Sequence, residues 1–482
     1  MRGNSGNELP VYFFKIGVIM NLSVFDCPGV FMKIIIVGCG KVGSAAAKQL
    51  SREGHAITIV DLNPKRVRKL TDSLDVLGTV GNGSSVSLLE EVGIEDTDVF
   101  ISATGSDEVN LLSCMLAAQS SSCHTIARVR NPIYNERSDF IREKMGLSAI
   151  INPELTAATE ISRLLRFPAA LKIDTFANGK VRLTKFVVPS ESGIATIPLR
   201  NLSAFLGCDV LICAVERGEE VLIPRGDFCL RQGDIVTFLA TKEKGIEFLQ
   251  KLGLRTEPIQ SAMIVGGGTI GHYLIEDLLE HQVRVKVIEK KADRAEQLAE
   301  DFPDVTVLCG DGTDREFLMS VGLEEAEAFT SITNIDEENV MLSLFAKQKS
   351  KAKLVTKLNR LEYDSVLENL DIGSLVYPKF LSCDSIVQYV RMLENQAGNN
   401  LRTLYRILDD RLEALEFHIS EESAVTNCPI SKLKLKKNQL ICGITRGDEF
   451  RIPRGSDEIH VGDNVVLVTL EKGMKDISGI LA

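Results

Sequence analysis

Residues 33–43 read Lys-Ile-Ile-Ile-Val-Gly-Cys-Gly-Lys-Val-Gly, and this stretch decides the fold. A short β-branched run that ends at glycine is typical of a buried strand. Gly38, Gly40 and Gly43 have the spacing of the loop that joins the first strand of a dinucleotide-binding fold to its helix. Asp61 follows Gly40 by 21 residues, close to the distance of about 20 at which such folds place a ribose-binding acid. The stretch therefore predicts a nucleotide-binding loop.

The same pattern occurs again 228 residues further along the chain. Residues 264–271 read Ile-Val-Gly-Gly-Gly-Thr-Ile-Gly, and Glu289 follows Gly268 by 21 residues. The repeat continues beyond the loops, since Ile-Pro-Arg-Gly occurs at 223–226 and at 452–455. One glycine loop alone is a weak signal, whereas two in register, each with its acid, predict a duplicated nucleotide-binding unit.

The spacing of strands, helices and glycines divides each repeat into a larger and a smaller part. Strands alternate with helices after each loop, which predicts a parallel sheet. The predicted fold class is α/β, with two tandem Rossmann-like doubly wound parallel sheets, each followed by a small β-rich α+β module. The predicted domains are a poorly ordered extension (1–31), a first Rossmann-like domain (32–150), a first small module (172–255), a second Rossmann-like domain (260–380) and a second small module (402–482).

Two shorter patterns add to this division. Met32 directly precedes the first strand, so we expect it to be the working initiator, although the apolar residues before it also allow a signal peptide. Gly233-Asp234 and Gly462-Asp463 each precede an apolar strand, and they predict tight turns.

Composition and charge exclude several functional classes. The net charge of −11 argues against a general nucleic-acid binder, because phosphate neutralisation needs a basic surface. The 11 cysteines include no CxxC pair, which favours reduced thiols and a cytoplasmic location. No apolar run approaches the roughly 18–20 residues that a membrane-spanning helix needs. We therefore expect a cytoplasmic globular protein without metal ligands.

Each glycine loop is expected to bind phosphate through its backbone. Gly38 allows the tight turn, Gly40 lets the backbone approach a pyrophosphate, and Gly43 lets the helix pack close to the sheet. The free N–H groups at the helix N-terminus then favour an anion. The predicted cofactor-binding residues of the two loops are Gly38, Cys39, Gly40, Lys41, Val42, Gly43, Gly266, Gly267, Gly268, Thr269, Ile270 and Gly271.

Charged side chains beside the loops refine the prediction. Asp61 and Glu289 are placed to accept hydrogen bonds from ribose hydroxyls, and a carboxylate there favours NAD(H) over its 2′-phosphorylated form. Lys41 either reaches a phosphate oxygen or is solvated. The second loop has Thr269 at that position, so its phosphate site carries one positive charge fewer.

Residues after the later strands complete the predicted sites. Asn82 and Asp311 border the adenine, where an amide accepts or donates and an ionised carboxylate only accepts. Thr104 and Thr333 flank the cofactor crevice. Arg128, which ends the fifth strand, faces phosphate, faces a neighbouring subunit or forms a buried ion pair.

Three functional alternatives remain open at this point. The chain has no P-loop, no nucleophile elbow and no HExxH motif, and no histidine lies between His124 and His272. These absences favour a nucleotide sensor over an enzyme. An NAD-dependent oxidoreductase is the alternative, and it needs a proton-transfer group beside the nicotinamide. A third possibility is a free-standing nucleotide-binding scaffold.

The motifs at 33–43, Asp61, the Gly-Asp-Gly-Thr stretch at 310–313 and the Ile-Pro-Arg-Gly repeats resemble the RCK/KTN family, whose cytoplasmic domains regulate potassium conductance. The resemblance runs from about residue 32 to residue 482 and covers tandem large and small domains. It implies a non-enzymatic subunit, peripheral on the inner face of the cell membrane, that binds NAD(H) or ATP/ADP. It also implies a homo-oligomer, a tetramer of tandem chains, and a membrane-embedded potassium transporter or channel of the Trk type as partner. Asn82 departs from the acidic residue common there in the family.

Overall fold

The computed structural model describes residues 31–176, 181–190, 192–218, 220–359, 370, 372–396, 401–407, 412–447, 449–471, 474 and 476–482. All but the last residue of the predicted N-terminal extension lies outside these ranges. The first large domain contains β1 (Lys33–Val37), α1 (Lys41–Arg52), β2 (Ala56–Asp61), α2 (Pro64–Thr71), β3 (Leu77–Val80), α3 (Val86–Glu91), β4 (Val99–Ser102), α4 (Asp107–Ser120), β5 (His124–Arg128), α5 (Pro132–Asn135), α6 (Ser138–Lys144), β6 (Ala149–Ile151) and α7 (Pro153–Arg166).

The six strands form one parallel sheet in the order β3-β2-β1-β4-β5-β6. The β-branched side chains of β1 are buried on both faces, as the apolar run predicted. The chain order reverses between β1 and β4. Because ligands of doubly wound sheets bind where the strand order reverses, the glycine loop lies at the expected place.

The first small module follows and is built mainly of antiparallel strands. It contains β7 (Lys172–Phe176), β8 (Val181–Val187), α8 (Leu199–Leu206), β9 (Leu211–Arg217), β10 (Glu220–Leu222), β11 (Ile235–Thr241) and α9 (Lys242–Lys251). Its sheet has the order β10-β9-β11-β8-β7. Thr241 caps α9 by accepting a hydrogen bond from the Lys244 backbone N–H, and Phe248 then packs edge-on against Phe186.

The second half repeats both parts. Its large domain contains β12 (Ser261–Val265), α10 (Thr269–Glu280), β13 (Arg284–Glu289), α11 (Ala292–Asp301), β14 (Thr306–Cys309), α12 (Arg315–Ser320), β15 (Ala328–Ser331), α13 (Asp336–Lys349), β16 (Lys353–Lys357), β17 (Ser374–Val376) and α14 (Pro378–Gln396). Its small module contains β18 (Leu401–Ile407), β19 (Leu412–His418), β20 (Gln439–Arg446), β21 (Glu449–Arg451) and β22 (Asn464–Thr469). The sheet orders, β14-β13-β12-β15-β16-β17 and β18-β19-β22-β20-β21, match those of the first half. The predicted fold class is confirmed.

The two large domains exchange helices. The α7 helix leaves the first sheet and packs on α10, and its Ile161 and Leu165 share a core with Leu274 of the second domain. The α14 helix leaves the second sheet and packs on α1, so Val390 shares the core of the first domain. Each large domain is therefore completed by a helix from the other copy.

The longest described helix, α14, has 19 residues, which include the charged side chains of Lys379, Asp384 and Arg391. Its apolar face is used on α1, where Ile386 and Val390 are buried. Within the described ranges, no helix has both the length and the apolar character needed to cross a bilayer.

The two small modules pack sheet against sheet. Val181, Leu183 and Leu239 from the first module lie in one buried cluster with Leu412 and Val466 from the second. Alternate residues of a strand face one side of the sheet, so these side chains form a continuous apolar face. The small modules therefore join the two halves a second time.

The turns predicted at Gly233-Asp234 and Gly462-Asp463 are present, and each places a buried aspartate against an arginine. Asp234 accepts hydrogen bonds from Arg217 Nε at 2.9 Å and Nη2 at 2.7 Å. Asp463 accepts from Arg446 Nε and Nη2, both at 2.8 Å. The two carboxylates are 3% and 1% exposed. Each pair therefore joins its turn to the end of β9 or β20, a role beyond the turn that the sequence indicated.

Replacing Asp234 or Asp463 with asparagine is expected to lower the free energy of unfolding by about 1.5–3 kcal/mol, because the charged bidentate bond from the arginine to a buried carboxylate is lost. Desolvation raises the pKa of each carboxyl, but hydrogen bonds from the arginine and from backbone N–H groups outweigh it and hold the pKa below its usual value. A lowered folded pKa stabilises the protein above the unfolded pKa of about 3.9, and this stabilisation is lost as the pH falls.

Urea unfolding followed by circular dichroism checks this prediction. The difference between wild type and Asp234→Asn should be constant above about pH 5 and should shrink below about pH 3.9. Asp227→Asn changes an exposed aspartate of the same module and serves as the control. A variant as stable as wild type at pH 7 would contradict the assigned role of the pair.

Two candidate nucleotide-binding sites

The first glycine loop turns so sharply that only glycine fits at its start. Gly38 has φ +95°, and its backbone N–H donates to the Val60 carbonyl at 2.7 Å. A Cβ atom at Gly38 would lie 2.7 Å from the Thr104 backbone nitrogen. The end of β1 therefore approaches the end of β4 too closely for any side chain at Gly38. This agrees with the prediction that Gly38 allows the tight turn.

The next two glycines have different surroundings. Gly40 precedes α1 in an extended conformation, with no side chain capping the helix, and a Cβ atom there would meet nothing within 4 Å. A Cβ atom at Gly43 would lie 1.9 Å from the Gly38 carbonyl oxygen. The open space at Gly40 lies beside the free N–H groups of the helix N-terminus, a place that favours an anion such as phosphate.

Asp61 is held in place by the loop that it faces. It is 8% exposed. Its Oδ2 atom accepts a hydrogen bond from the Cys39 backbone N–H at 2.6 Å, and its Oδ1 atom accepts from the Asn63 backbone N–H at 2.8 Å. Because an ionised carboxylate accepts about four hydrogen bonds, both oxygens retain capacity for ribose hydroxyls. Burial and the charge of Asp61 raise the pKa of the Cys39 thiol to about 12, so Cys39 contributes its backbone N–H.

The second copy has the same contacts at equivalent positions. Gly266 has φ +116°, and a Cβ atom at Gly271 would lie 2.5 Å from the Gly266 carbonyl oxygen. The Gly267 backbone N–H donates to Glu289 Oε2 at 2.7 Å, and the Lys291 backbone N–H donates to Oε1 at 2.9 Å. Glu289 therefore occupies the place of Asp61, and its longer side chain still reaches the loop.

The side chains at the first residues of α1 and α10 differ in where they lie. Lys41 and Thr269 are exposed, so each can face a ligand at its helix N-terminus. Val42 and Ile270 are buried in the cores, so only their backbone N–H groups remain for a ligand. The sequence grouped all four as cofactor-binding residues, and the geometry separates side-chain candidates from backbone candidates.

The two sites differ most at the residues that were predicted to border the adenine. In the second site, Lys290 Nζ donates to Asp311 Oδ2 at 2.6 Å. This bond and those from Thr313 lower the pKa of the Asp311 carboxyl to about 2. In the first site an exposed leucine, Leu62, stands where the second has Lys290, and Asn82 Oδ1 accepts from the Ser84 backbone N–H at 3.0 Å. The first site is therefore uncharged where the second carries an ion pair.

Two buried asparagines fix the residues that flank the crevices. Asn110 Oδ1 accepts from the Thr104 backbone N–H at 2.8 Å, and Asn339 Oδ1 accepts from the Thr333 backbone N–H at 2.9 Å. Asn110 Nδ2 also donates to the Arg128 carbonyl at 2.8 Å. The sequence did not predict a site role for these asparagines, although both end an Asp-Glu-x-Asn stretch that occurs at 107–110 and again at 336–339.

The basic residues that end the fifth strands both have partners. Arg128 Nη2 donates to Glu154 Oε1 at 3.3 Å, and both side chains are mostly buried. Of the alternatives for Arg128, the ion pair is therefore the contact observed. Lys357 Nζ donates to the Thr333 carbonyl at 2.9 Å, and desolvation lowers its pKa.

The geometry of the two loops agrees with comparisons to known proteins. The sequence model of the TrkA-N domain matches residues 34–153 and 262–378, and that of the TrkA-C domain matches residues 183–253. The Trk system potassium uptake protein TrkA homolog 1 of Methanosarcina mazei is 30% identical over 454 residues, which cover 92% of this chain and 99% of that protein. The chain belongs to the TrkA family. The Halomonas elongata TrkA protein is 31% identical and covers 92% of this chain and 96% of its own length.

Solved structures agree with this membership at the level of fold. A structure described as the GsuK channel bound to NAD has a TM-score of 0.60 at 17% identity and covers 91% of this chain and 77% of that chain. The crystal structure of the GsuK RCK domain has a TM-score of 0.59 at 16% identity and covers 91% of this chain and 92% of that chain. These two likenesses confirm the predicted fold, with Rossmann-like domains and small modules in tandem. Among the described residues of this TrkA-family chain, no group of three or more histidine, cysteine, aspartate or glutamate side chains is arranged to hold a metal ion.

Proposed function

We propose that this chain is the cytoplasmic nucleotide-binding regulatory subunit of a Trk-type potassium uptake channel or transporter, and that it responds to NAD(H) or ATP/ADP. Membership of the TrkA family supports the link to potassium uptake. The observation that carries the nucleotide part is the contact between loop and acid, found in both copies. Cys39 N–H binds Asp61 in the first copy, and Gly267 N–H binds Glu289 in the second.

Each site would bind its ligand through three groups of atoms. The pyrophosphate lies at the N-terminus of α1 or α10, where unpaired N–H groups and the helix dipole favour an anion. The ribose hydroxyls donate to Asp61 or Glu289. The adenine lies beside Asn82 in the first site and beside Asp311 in the second, with Thr104 and Thr333 at the far side of the crevices. The ion pair of Lys290 with Asp311 supports a different nucleotide preference at the second site.

Regulation follows if a nucleotide binds one arrangement of the large domains better than another, because only that difference in affinity can shift the equilibrium. The exchanged helices α7 and α14 support such a mechanism, since each lies against the helix that follows the other copy's glycine loop. We propose a tetramer of tandem chains on the inner face of the membrane, which transmits the change to the transporter.

The proposed role is binding rather than catalysis. The relatives are named for potassium uptake, and this supports a regulatory protein over an NAD-dependent oxidoreductase. Continuous oxidation of NADH by the purified chain, with a panel of small carbonyl compounds, would contradict this part of the proposal.

Potassium flux into vesicles that contain a Trk-type membrane subunit tests the proposal directly. With wild-type chain added, nucleotide should change the flux by about fivefold or more, the lower range of typical allosteric coupling. Asp61→Ala and Glu289→Ala should each remove part of the response. Asp72→Ala changes an exposed aspartate directly after α2 and should leave the response intact. If the potassium flux is the same with and without nucleotide while the chain remains bound to the vesicles, the regulatory role is refuted.

A further inference from the structure

One tyrosine connects the phosphate-binding helix of the second site to the first domain. Tyr273 lies on α10 and is 1% exposed. Its hydroxyl donates to the Arg130 carbonyl at 3.0 Å and accepts a hydrogen bond from Asn152 Nδ2 at 2.9 Å. Thr269 begins α10 four residues earlier, so the hydroxyl contact and the anion-binding end of the helix are one turn apart.

Arg130 also forms hydrogen bonds to the 104–107 turn, which joins β4 to the start of α4. Its backbone N–H donates to Asp107 Oδ2 at 2.8 Å and its Nε donates to Asp107 Oδ1 at 3.2 Å. Its Nη2 donates to the Gly105 carbonyl. Thr104, which flanks the first crevice, lies in the same turn. A shift of the Arg130 backbone would therefore move residues that border the first nucleotide site.

We propose that Tyr273 is a positioning residue of the first nucleotide site, and that through Arg130 it couples occupancy of the second site to the geometry of the 104–107 turn. This inference rests on the proposed function, because it requires nucleotide at both sites. A phosphate that accepts hydrogen bonds from the N–H groups of α10 favours one position of that helix. Tyr273 lies on the same helix and moves with it. By thermodynamic reciprocity, occupancy of the first site changes affinity at the second by the same factor.

The packing of α14 on α1 corresponds to that of α7 on α10. It lacks the residues for a link equivalent to that of Tyr273. Ala45 stands on α1 where α10 has Tyr273, and alanine has no hydroxyl to donate. Asn359 stands where the first copy has Arg130, and its Nδ2 donates to Asp336 Oδ1 at 2.8 Å. The second copy therefore holds its own turn with a short neutral side chain, and Ala45 can make no counterpart to the hydroxyl bond of Tyr273.

Hydrogen–deuterium exchange with mass spectrometry tests the coupling in the full chain. Asp61→Ala is used to abolish nucleotide binding at the first site, and NADH or ATP is added to occupy the second. We expect slower exchange at residues 266–272 and at least a twofold change in exchange rate at residues 104–110. Adding Tyr273→Phe should preserve the first response and remove the second, because the ring stays and only the hydroxyl is lost.

A matched control separates this role from a general loss of packing. Tyr134 Oη donates to Glu108 Oε1 at 2.9 Å, which is also a tyrosine contact to the start of α4 but lies within the first copy. Tyr134→Phe should therefore keep the response at residues 104–110. If Tyr273→Phe fails to fold, Arg130→Gln replaces it. That variant keeps the backbone carbonyl, loses the bonds from Nε and Nη2, and should also remove the response.

The outcomes distinguish the inference from the function on which it rests. A response at 266–272 without one at 104–110 overturns the coupling and leaves nucleotide binding intact. A response at 104–110 that persists in both Tyr273→Phe and Arg130→Gln also overturns it. No response at 266–272 with any nucleotide overturns second-site binding and the coupling together.

Discussion

Replacing Gly43 with alanine is expected to abolish nucleotide binding at the first site and to lower the free energy of unfolding by about 1–3 kcal/mol, the typical cost of overpacking. The added Cβ atom would lie 1.9 Å from the Gly38 carbonyl oxygen and 3.1 Å from its carbonyl carbon. Both are backbone atoms of the loop, so neither can rotate away. The helix must therefore move off the sheet, and the N–H groups that bind phosphate move with it.

Titration of NADH and ATP in a Glu289→Ala background measures the first site alone, and urea unfolding measures the stability. Gly271→Ala is expected to act in the same direction at the second site but more weakly, since its Cβ atom would lie 2.5 Å from the Gly266 carbonyl oxygen. Ser44→Ala adds no atoms at the next position of α1 and is the control. Wild-type affinity in Gly43→Ala would show that the loop geometry is not used for binding.

Gly40→Ala and Gly268→Ala are expected to reduce affinity at their own sites by at least about tenfold, because the Cβ atom takes space that a pyrophosphate needs beside the backbone. The same changes should cost under about 1 kcal/mol of stability. A Cβ atom at either position meets nothing within 4 Å. Both residues have extended backbone conformations, with φ −74° at Gly40 and φ −68° at Gly268, so alanine is not strained.

This second prediction separates function from folding. Calorimetry and thermal unfolding on the same samples should show lost binding with a nearly unchanged midpoint. Each variant is the control for the other, since Gly40→Ala should leave the second site intact and Gly268→Ala the first. Unchanged affinity in both variants would place the ligand away from the glycine loops.

The sequence predicted the sheets well because local patterns determine them. The β-branched run of β1 and the acid at the end of β2 each lie where the periodicity placed them. The sixth strands, β6 and β17, were not predicted, because three residues are too few to show a pattern. The exchange of α7 and α14 was not predicted either, since an apolar helix face shows that a partner exists but does not identify it.

The sequence predicted only those parts of the two sites whose positions follow from the backbone. The contact of Asp61 with its loop follows from spacing alone, because the strand end and the loop meet at one edge of the sheet. The pairing of Lys290 with Asp311 and of Arg128 with Glu154 depends on side chains distant in sequence, so no local pattern reveals it. The domain boundaries, nucleotide-binding residues and oligomeric state stay predictions.

Calorimetric titration of NADH, NAD, ATP and ADP into the full chain tests the central claim most directly, with Asp61→Ala and Glu289→Ala measured beside wild type. The account predicts micromolar-range binding at two sites, one weakened by each substitution, and a different nucleotide preference at each site. Binding of none of the four nucleotides to the wild-type chain would contradict it, and the glycine loops would then be structural turns.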